Sequence, residues 1–407
     1  MLRALESLRK HCNFPFNEPL FYYLAYALWV TASVAGITYF SRDVMSLRFL
    51  YFAAVFLLLL HELFYSRWSR KSIACLILFG SIIILSYCTE AIAPSAASGS
   101  TGLVSFFMFL YCARDVPLKR LALLTAWLLA ILFCITVILA ESSIITNELS
   151  YRGDTPRYGL GFIGRTFPSY FILAIAAFYA IARQSEYSVA ALIALLVANA
   201  WVFFQTNTRN GFLLTNIVVV LLLVFRHKQF QKSDGVWNVI CLASFPTAFL
   251  VMAILTAAYS PDNSFLQAVD NIFSYRLNYA NQAFSEWGTS LFGMRIPWSD
   301  LNYIVDCSYL RIILDDGILG FAIVLAIHVL ASIYSVKSKN SLFVVLCIIY
   351  SVHFAFDPTM STLYLNPIAF IGITEYFQAI ETKSADKCKT FIRQSDSLII
   401  KKGGRHF

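Results

Sequence analysis

The sequence predicts an all-α, polytopic integral membrane protein, and three observations predict it. Of its 407 residues, 59% are hydrophobic and 13% charged, with a mean hydropathy of +0.68; soluble globular chains carry about 25% charged residues. Apolar runs recur along the chain at the length of about 20 residues that a bilayer-crossing helix needs. No stretch shows the period-2 alternation by which an outer-membrane barrel would compete with these runs.

Taken in order, the runs fall near 20–40, 49–65, 72–92, 101–113, 121–140, 168–182, 187–205, 211–225, 237–259, 310–335, 341–357 and 361–380, which predicts about twelve spans. Residues 1–19 carry Arg3, Arg9 and Lys10. A full-length span follows them, with no short apolar core or small-residue cleavage site, so no cleavable signal is expected. Basic clusters at 67–71, 114–120, 226–232 and 337–339, together with both ends, all land on one side of a twelve-span chain. The positive-inside rule makes that side cytoplasmic, with both termini and a basic 381–407 tail there. Most of the net charge of +8 is therefore topology plus a tail suited to anionic lipid rather than nucleic acid.

The nine cysteines read as small hydrophobes. Cys75, Cys88, Cys112, Cys134, Cys241 and Cys347 lie in or at the ends of spans, and Cys12 and Cys388 in cytoplasmic segments. Cys307 alone approaches the outer face, which leaves no disulfide framework there. No metal-binding spacing of Cys or His appears, so no metal site is expected.

Two connections are long, 141–167 and 260–306, and both face outward in this topology. Long loops in a compact membrane protein usually carry function. The second contains helical spacing near 264–287, with Phe265, Ala268, Ile272, Ala280, Ala283, Phe284 and Trp287 on one apolar face. Such an interfacial helix would carry Arg276 over a central cavity. Nine of the 31 basic residues fall on the outer face, against the topology rule, among them Arg157, Arg209 and Arg276. Arg209 sits in the very short turn QTNTRNGF, near the lipid boundary. A snorkelling anchor explains it alone. Three outward arginines together favour an anion site, because guanidinium binds phosphate oxygens in a planar fork.

At this point four stretches resemble the O-antigen polymerase and O-antigen ligase superfamily. PRYGLGF (156–162) resembles the family's Arg-x-x-Leu-Gly-Phe segment, and NTRNGF (207–212) its short Ser/Thr-Arg turn. YRLNYANQAF (275–284) with LFG (291–293) resembles the Arg-led helix and following Gly of the large outer loop. DCSYLRIILDDGILGF (306–321) resembles the entry into the next span. Two departures stand out: Ile163 to Pro168 replaces a His-Pro-Asn-like segment, and Cys307 stands where relatives often have Asn. An Asp rather than a His at the start of the last motif points to the polymerase branch.

The resemblance implies a GT-C-like membrane glycosyltransferase of the bacterial cytoplasmic (inner) membrane. Its substrate would be an undecaprenyl-diphosphate-linked oligosaccharide, with a flippase and a chain-length regulator as partners and no metal, nucleotide or other cofactor. Arg209 and Arg276 are the implied diphosphate contacts, with Arg157 third and Arg165 and Arg295 as outer candidates. Asp306 is the leading base for the acceptor hydroxyl, although its position equally suits the N-cap of the next span. His353 and Asp357 are alternatives, as more remotely is Glu90. Tyr309 would share the helix face of Asp306 and either stack on sugar or belong to the interfacial aromatic belt. Gly317 and Gly320 read as small residues for helix packing. A ligase and a lipid-linked oligosaccharide flippase are the rival readings; a flippase would show two related halves, and none are visible in the sequence.

Overall fold

The structure is a computed structural model that describes residues 19–377, apart from 67, 70–71, 82–83, 85–100, 185, 226–234, 299 and 375. The 1–18 segment, the 381–407 tail, the 226–232 cluster, Glu90, Cys12, Cys88 and Cys388 lie outside the described residues.

Among the described residues, four helices are long and apolar enough to cross a membrane: Leu118–Glu141, Val189–Thr206, Gly235–Ala258 and Ser308–Lys337. Six more are apolar and shorter: Leu20–Gly36, Phe49–Phe64, Ser72–Ser81, Phe167–Arg183, Arg209–Phe225 and Ser341–Phe356. Their outward surface is apolar too. Phe52, Phe56 and Leu59 are exposed one turn apart along Phe49–Phe64, a stripe that lipid would cover and water would not. Side-chain caps start several helices. Ser188 Oγ accepts from the Ala191 amide, and Asn340 Oδ1 from the Phe343 amide, satisfying donors that a helix start leaves open.

The Phe167–Arg183 helix is the centre of the bundle. It is buried over nearly its whole circumference and packs against Leu118–Glu141, Val189–Thr206, Arg209–Phe225 and Ser341–Phe356. Ala174, Ala176, Ala177 and Ala180 keep it slim enough for close neighbours. The closest approach is at Gly211, where any Cβ would collide with the Ser169 hydroxyl. That contact fixes the first turn of Arg209–Phe225 against the central helix.

Several expectations change. The first long loop holds an antiparallel hairpin, Leu149–Arg152 paired with Thr155–Tyr158. The expected single amphipathic helix is two, Ser264–Ile272 and Arg276–Trp287, because Ser274 and Tyr275 both adopt left-handed backbone. The break resets the helical phase. Leu266 and Asp270 are buried in the first piece and Leu277, Ala280 and Ala283 in the second, whereas Phe265 (70%) and Ile272 (79%) stay exposed. The expected span near 361–380 begins with a 3-10 turn, Leu363–Leu365, and becomes helical at 367.

Gly317 does not pack helix against helix; it lets a loop approach. It breaks the Ser308–Lys337 helix at φ 78° and ψ 174°, and residues 290–294 of the second long loop insert there. The amides of Ile318 and Leu319 donate to the Ser290 and Leu291 carbonyls at 3.0 and 3.1 Å, and the Met294 amide donates to the Leu314 carbonyl at 3.0 Å. The groups a break leaves open are thus paired within the protein, as a membrane requires. Gly320 does serve packing, with Leu103 against it. At the far end of the bundle, Glu62 takes a bidentate grip from the buried Arg114 at 2.7 and 2.8 Å.

Candidate functional site

The hairpin supplies two arginines. Ser150 lies opposite Arg157 and Arg152 opposite Thr155. Side chains alternate along a strand, so Arg152 and Arg157 share one face as diagonal neighbours. That face meets the carboxyl end of Val189–Thr206. Arg157 Nε donates to the Thr206 carbonyl at 2.6 Å, and Arg152 Nη1 to the Asn207 carbonyl at 3.4 Å. These carbonyls carry the negative end of the helix dipole.

Asn207 is left-handed (φ 48°) and turns the chain, so that the next helix begins at Arg209. Arg276 is positioned by a comparable device. With Ser274 (φ 58°) and Tyr275 (φ 66°) both left-handed, the chain reverses sharply. The Arg276–Trp287 helix has no cap from Tyr275; instead Asp270 Oδ1 accepts the Leu277 and Asn278 amides at 2.8 and 3.3 Å. Arg276 Nε and Nη1 donate to the Phe356 and Phe273 carbonyls at 2.8 and 2.9 Å. Its Nη2 lies 3.5 Å from Asp306 Oδ2 and 3.7 Å from Asp357 Oδ1.

Asp357, just past the Ser341–Phe356 helix, ties these parts together. Tyr170 Oη donates to its Oδ1 at 2.6 Å, the Asn210 amide donates to Oδ2, and His353 Nδ1 lies 3.1 Å away. Four elements thus converge on one carboxylate that is 1% exposed. A buried charge held by several donors is an organiser of its surroundings.

Arg152, Arg157, Arg209 and Arg276 line one cleft of about 290 Å³, with Thr166, Thr208, Asn210, Ser274 and Asp357, and with Leu213, Ile272, Phe273 and Phe356 as its apolar part. Among the described residues, Arg152, Arg157 and Arg209 pair with no carboxylate. Burial, then the charges of Arg209 and Arg276, hold Arg152 below the ordinary arginine value; burial, then Arg152 and Arg165, do the same for Arg157. Mutual repulsion of this kind marks a site that an anion would relieve.

Asp306 stands beside the cleft, its side chain 38% exposed and its charge facing Arg276. Partial enclosure pushes its carboxyl above the usual range. Arg276 opposes that rise and Asp357 adds to it. Asp306 is not the helix N-cap: Cys307 occupies that position, without a side-chain cap, and the helix starts at Ser308.

The structure therefore brings together Arg157, Arg209, Arg276, Asp306 and Asp357. Of four other candidates, three stand apart from these residues and the fourth, His353, lies behind Asp357 rather than in the cleft lining. Arg165 is 2.5 Å from Glu148, which also accepts from Tyr39, and it anchors the hairpin rather than lining the cleft. Arg295 is exposed outside the cleft lining. Tyr309 does not share a helical face with Asp306; it is buried and donates to the Ser351 carbonyl at 2.9 Å. His353 is buried between Asp357 and the Thr359 hydroxyl.

Sequence reasoning missed Arg152, Tyr170, Asn210 and Asp270. The Gly-Asp pair after Arg152 is a turn signal, and strand alternation from it would have aligned Arg152 with Arg157. Nothing local marks Tyr170, whose partner is far away in the chain, and Asp270 meets the Leu277 and Asn278 amides only because the chain reverses at Ser274 and Tyr275. No protein-family model, curated protein or solved structure matches this chain.

Proposed function

We propose that this protein is a bacterial inner-membrane polysaccharide polymerase of about twelve spans and GT-C-like architecture. Both termini would be cytoplasmic and the arginine cleft outward. Its substrate is an undecaprenyl-diphosphate-linked oligosaccharide, which it joins into O-antigen, capsular or exopolysaccharide chains. One observation carries the reading: four arginines from three separate segments line a single cleft, with the Asp306 carboxylate 3.5 Å from one of them.

The chemistry follows from those groups. A diphosphate is a good leaving group once its charge is neutralised, and fixed guanidinium groups supply that without reorganisation. An acceptor hydroxyl attacks the anomeric carbon from the opposite side, the bond to the diphosphate oxygen breaks, and Asp306 takes the hydroxyl proton. Polyprenyl diphosphate leaves. The positive charge faces a diphosphate diester of two negative charges, while Leu213 and Ile272 give its lipid an apolar margin. The chain would work beside a flippase and a chain-length regulator.

The test is purified protein in liposomes supplied with polyprenyl-diphosphate-linked oligosaccharide alone. A product ladder spaced by one repeat unit, with free polyprenyl diphosphate, is expected. Unchanged donor would count against polymerisation and direct attention to ligation and flipping.

A further inference from the structure

Arg276 is immobilised along two of its three nitrogen positions. Nε and Nη1 are bonded to the Phe356 and Phe273 carbonyls, at the ends of separate elements. Its free edge is Nη2, which faces Asp306 and Asp357. The two carboxylates differ in what else holds them. Asp357 is 1% exposed, accepts from Tyr170 and Asn210, and lies against His353. Asp306 lies in the coil before Ser308, 38% exposed, and among the described residues its side chain has no bonding partner apart from this guanidinium edge. Anything that competes for Nη2 displaces Asp306, because Asp357 cannot yield.

We propose that an anion entering the cleft arms Asp306: a diphosphate takes the Nη2 edge of Arg276, breaks the Arg276–Asp306 pair, and turns Asp306 from a counter-ion into a stronger proton acceptor. This rests on reading the cleft as a diphosphate site. Three charged groups act on the Asp306 carboxylate, Arg276, Asp357 and Arg311 of the helix that follows it, while the Tyr170 hydroxyl and the adjacent Cys307 thiol feel its charge in turn. Of these, the ligand removes the influence of Arg276 and adds negative charge of its own. Both changes favour the protonated carboxyl. Binding is therefore linked to proton uptake around and between the carboxyl's values in the empty and the occupied site, whereas at neutral pH Asp306 stays ionised and becomes more basic. An empty site holds its base idle in an ion pair, and donor occupancy precedes acceptor deprotonation.

The experiment is calorimetric titration of the full chain in detergent with farnesyl-diphospho-N-acetylglucosamine, a diester whose phosphates do not titrate in the tested range. Buffers of different ionisation enthalpy report protons taken up. At about pH 5, above the ordinary carboxylate value of about 3.9, wild type is expected to take up a fraction of a proton, fading toward pH 8. Asp306→Asn, or Asp306→Ser should the amide misfold, is expected to bind without uptake and on the order of tenfold more tightly, since the nearer of the two carboxylates competing for Nη2 is gone. Binding without buffer dependence, or uptake that persists in both variants, overturns the arming while leaving the anion site standing. Absence of binding to wild type overturns the anion site and the arming together.

Discussion

Gly293 and Gly317 meet backbone against backbone. A Cβ on Gly317 would collide with the Gly293 amide nitrogen, and one on Gly293 would come within 2.7 Å of the Asp316 Cα. Both residues have positive φ, 91° and 78°. The contact joins the second long loop to the break in the Ser308–Lys337 helix, the helix that Asp306 leads into. Gly317→Ala is expected to cost about 3 kcal/mol or more, from the glycine-only backbone and the clash together. Gly320→Ala, which meets side chains only, should cost far less. Thermal unfolding of the two purified variants compares them, and equal midpoints would remove the argument.

Arg152→Ala, Arg209→Ala and Arg276→Ala should each lower polymer formation on the order of 100-fold while the protein remains folded in the membrane. Arg295→Ala, outside the cleft lining, should stay close to wild type. Ladder formation at matched protein levels measures all four. A wild-type ladder from the three cleft variants would end the anion-site reading.

The rate should depend on Asp306 ionisation. Its carboxyl lies above the ordinary value, so kcat/KM falls as pH drops through a point above about 3.9. The sign for stability is the reverse: ionising a group with a raised folded-state value disfavours folding, so this contribution is present at low pH and lost as pH rises through that value. Arg276 pulls the carboxyl down, and Arg276→Ala should therefore move the acid limb of the residual activity to higher pH. A pH–rate profile with no Asp306-dependent limb would assign the base elsewhere.

Asp357 separates charge from shape. Asp357→Asn keeps an acceptor for Tyr170 and removes a charge that raises Asp306, so the acid limb should shift to lower pH. Asp357→Ala strands Tyr170, Asn210 and Arg276 partners together and should cost about 3 kcal/mol. Melting curves and pH profiles read the two effects independently.

Glu62 and Arg114 form a buried pair away from the cleft, with side-chain exposures of 14% and 1%. Removing one partner breaks the bidentate grip on a buried charge, and Arg114→Ala should destabilise by about 3–5 kcal/mol. Substrate binding by the surviving folded fraction should be unchanged.

Much was legible along the chain because it depends on neighbours in sequence. Apolar runs with helical spacing yielded helices wherever they are described, since no other backbone structure satisfies its own hydrogen bonds over 20 apolar residues. The arginines at 157, 209 and 276, which the expected topology places outward, stood out against the charge rule, and they do share a cleft. Left-handed backbone at Ser274 and Tyr275 was not legible, because neither residue favours it and Asp270 holds it from outside. The motif glycines at 293 and 317 were visible one by one, but their contact spans an inserted loop.

By itself the sequence determined the apolar helical class, the two long loops, and the arginines that those loops and the turn between them carry, all consequences of composition and period. Tertiary structure alone decided that Arg152 joins those cations, that Tyr309 and His353 are withdrawn from the cleft, and that Asp306 faces Arg276 instead of capping a helix. The reason is physical: a charge finds its partner through space, and the elements that bring Arg276, Asp306 and Asp357 together come from three distant stretches of chain.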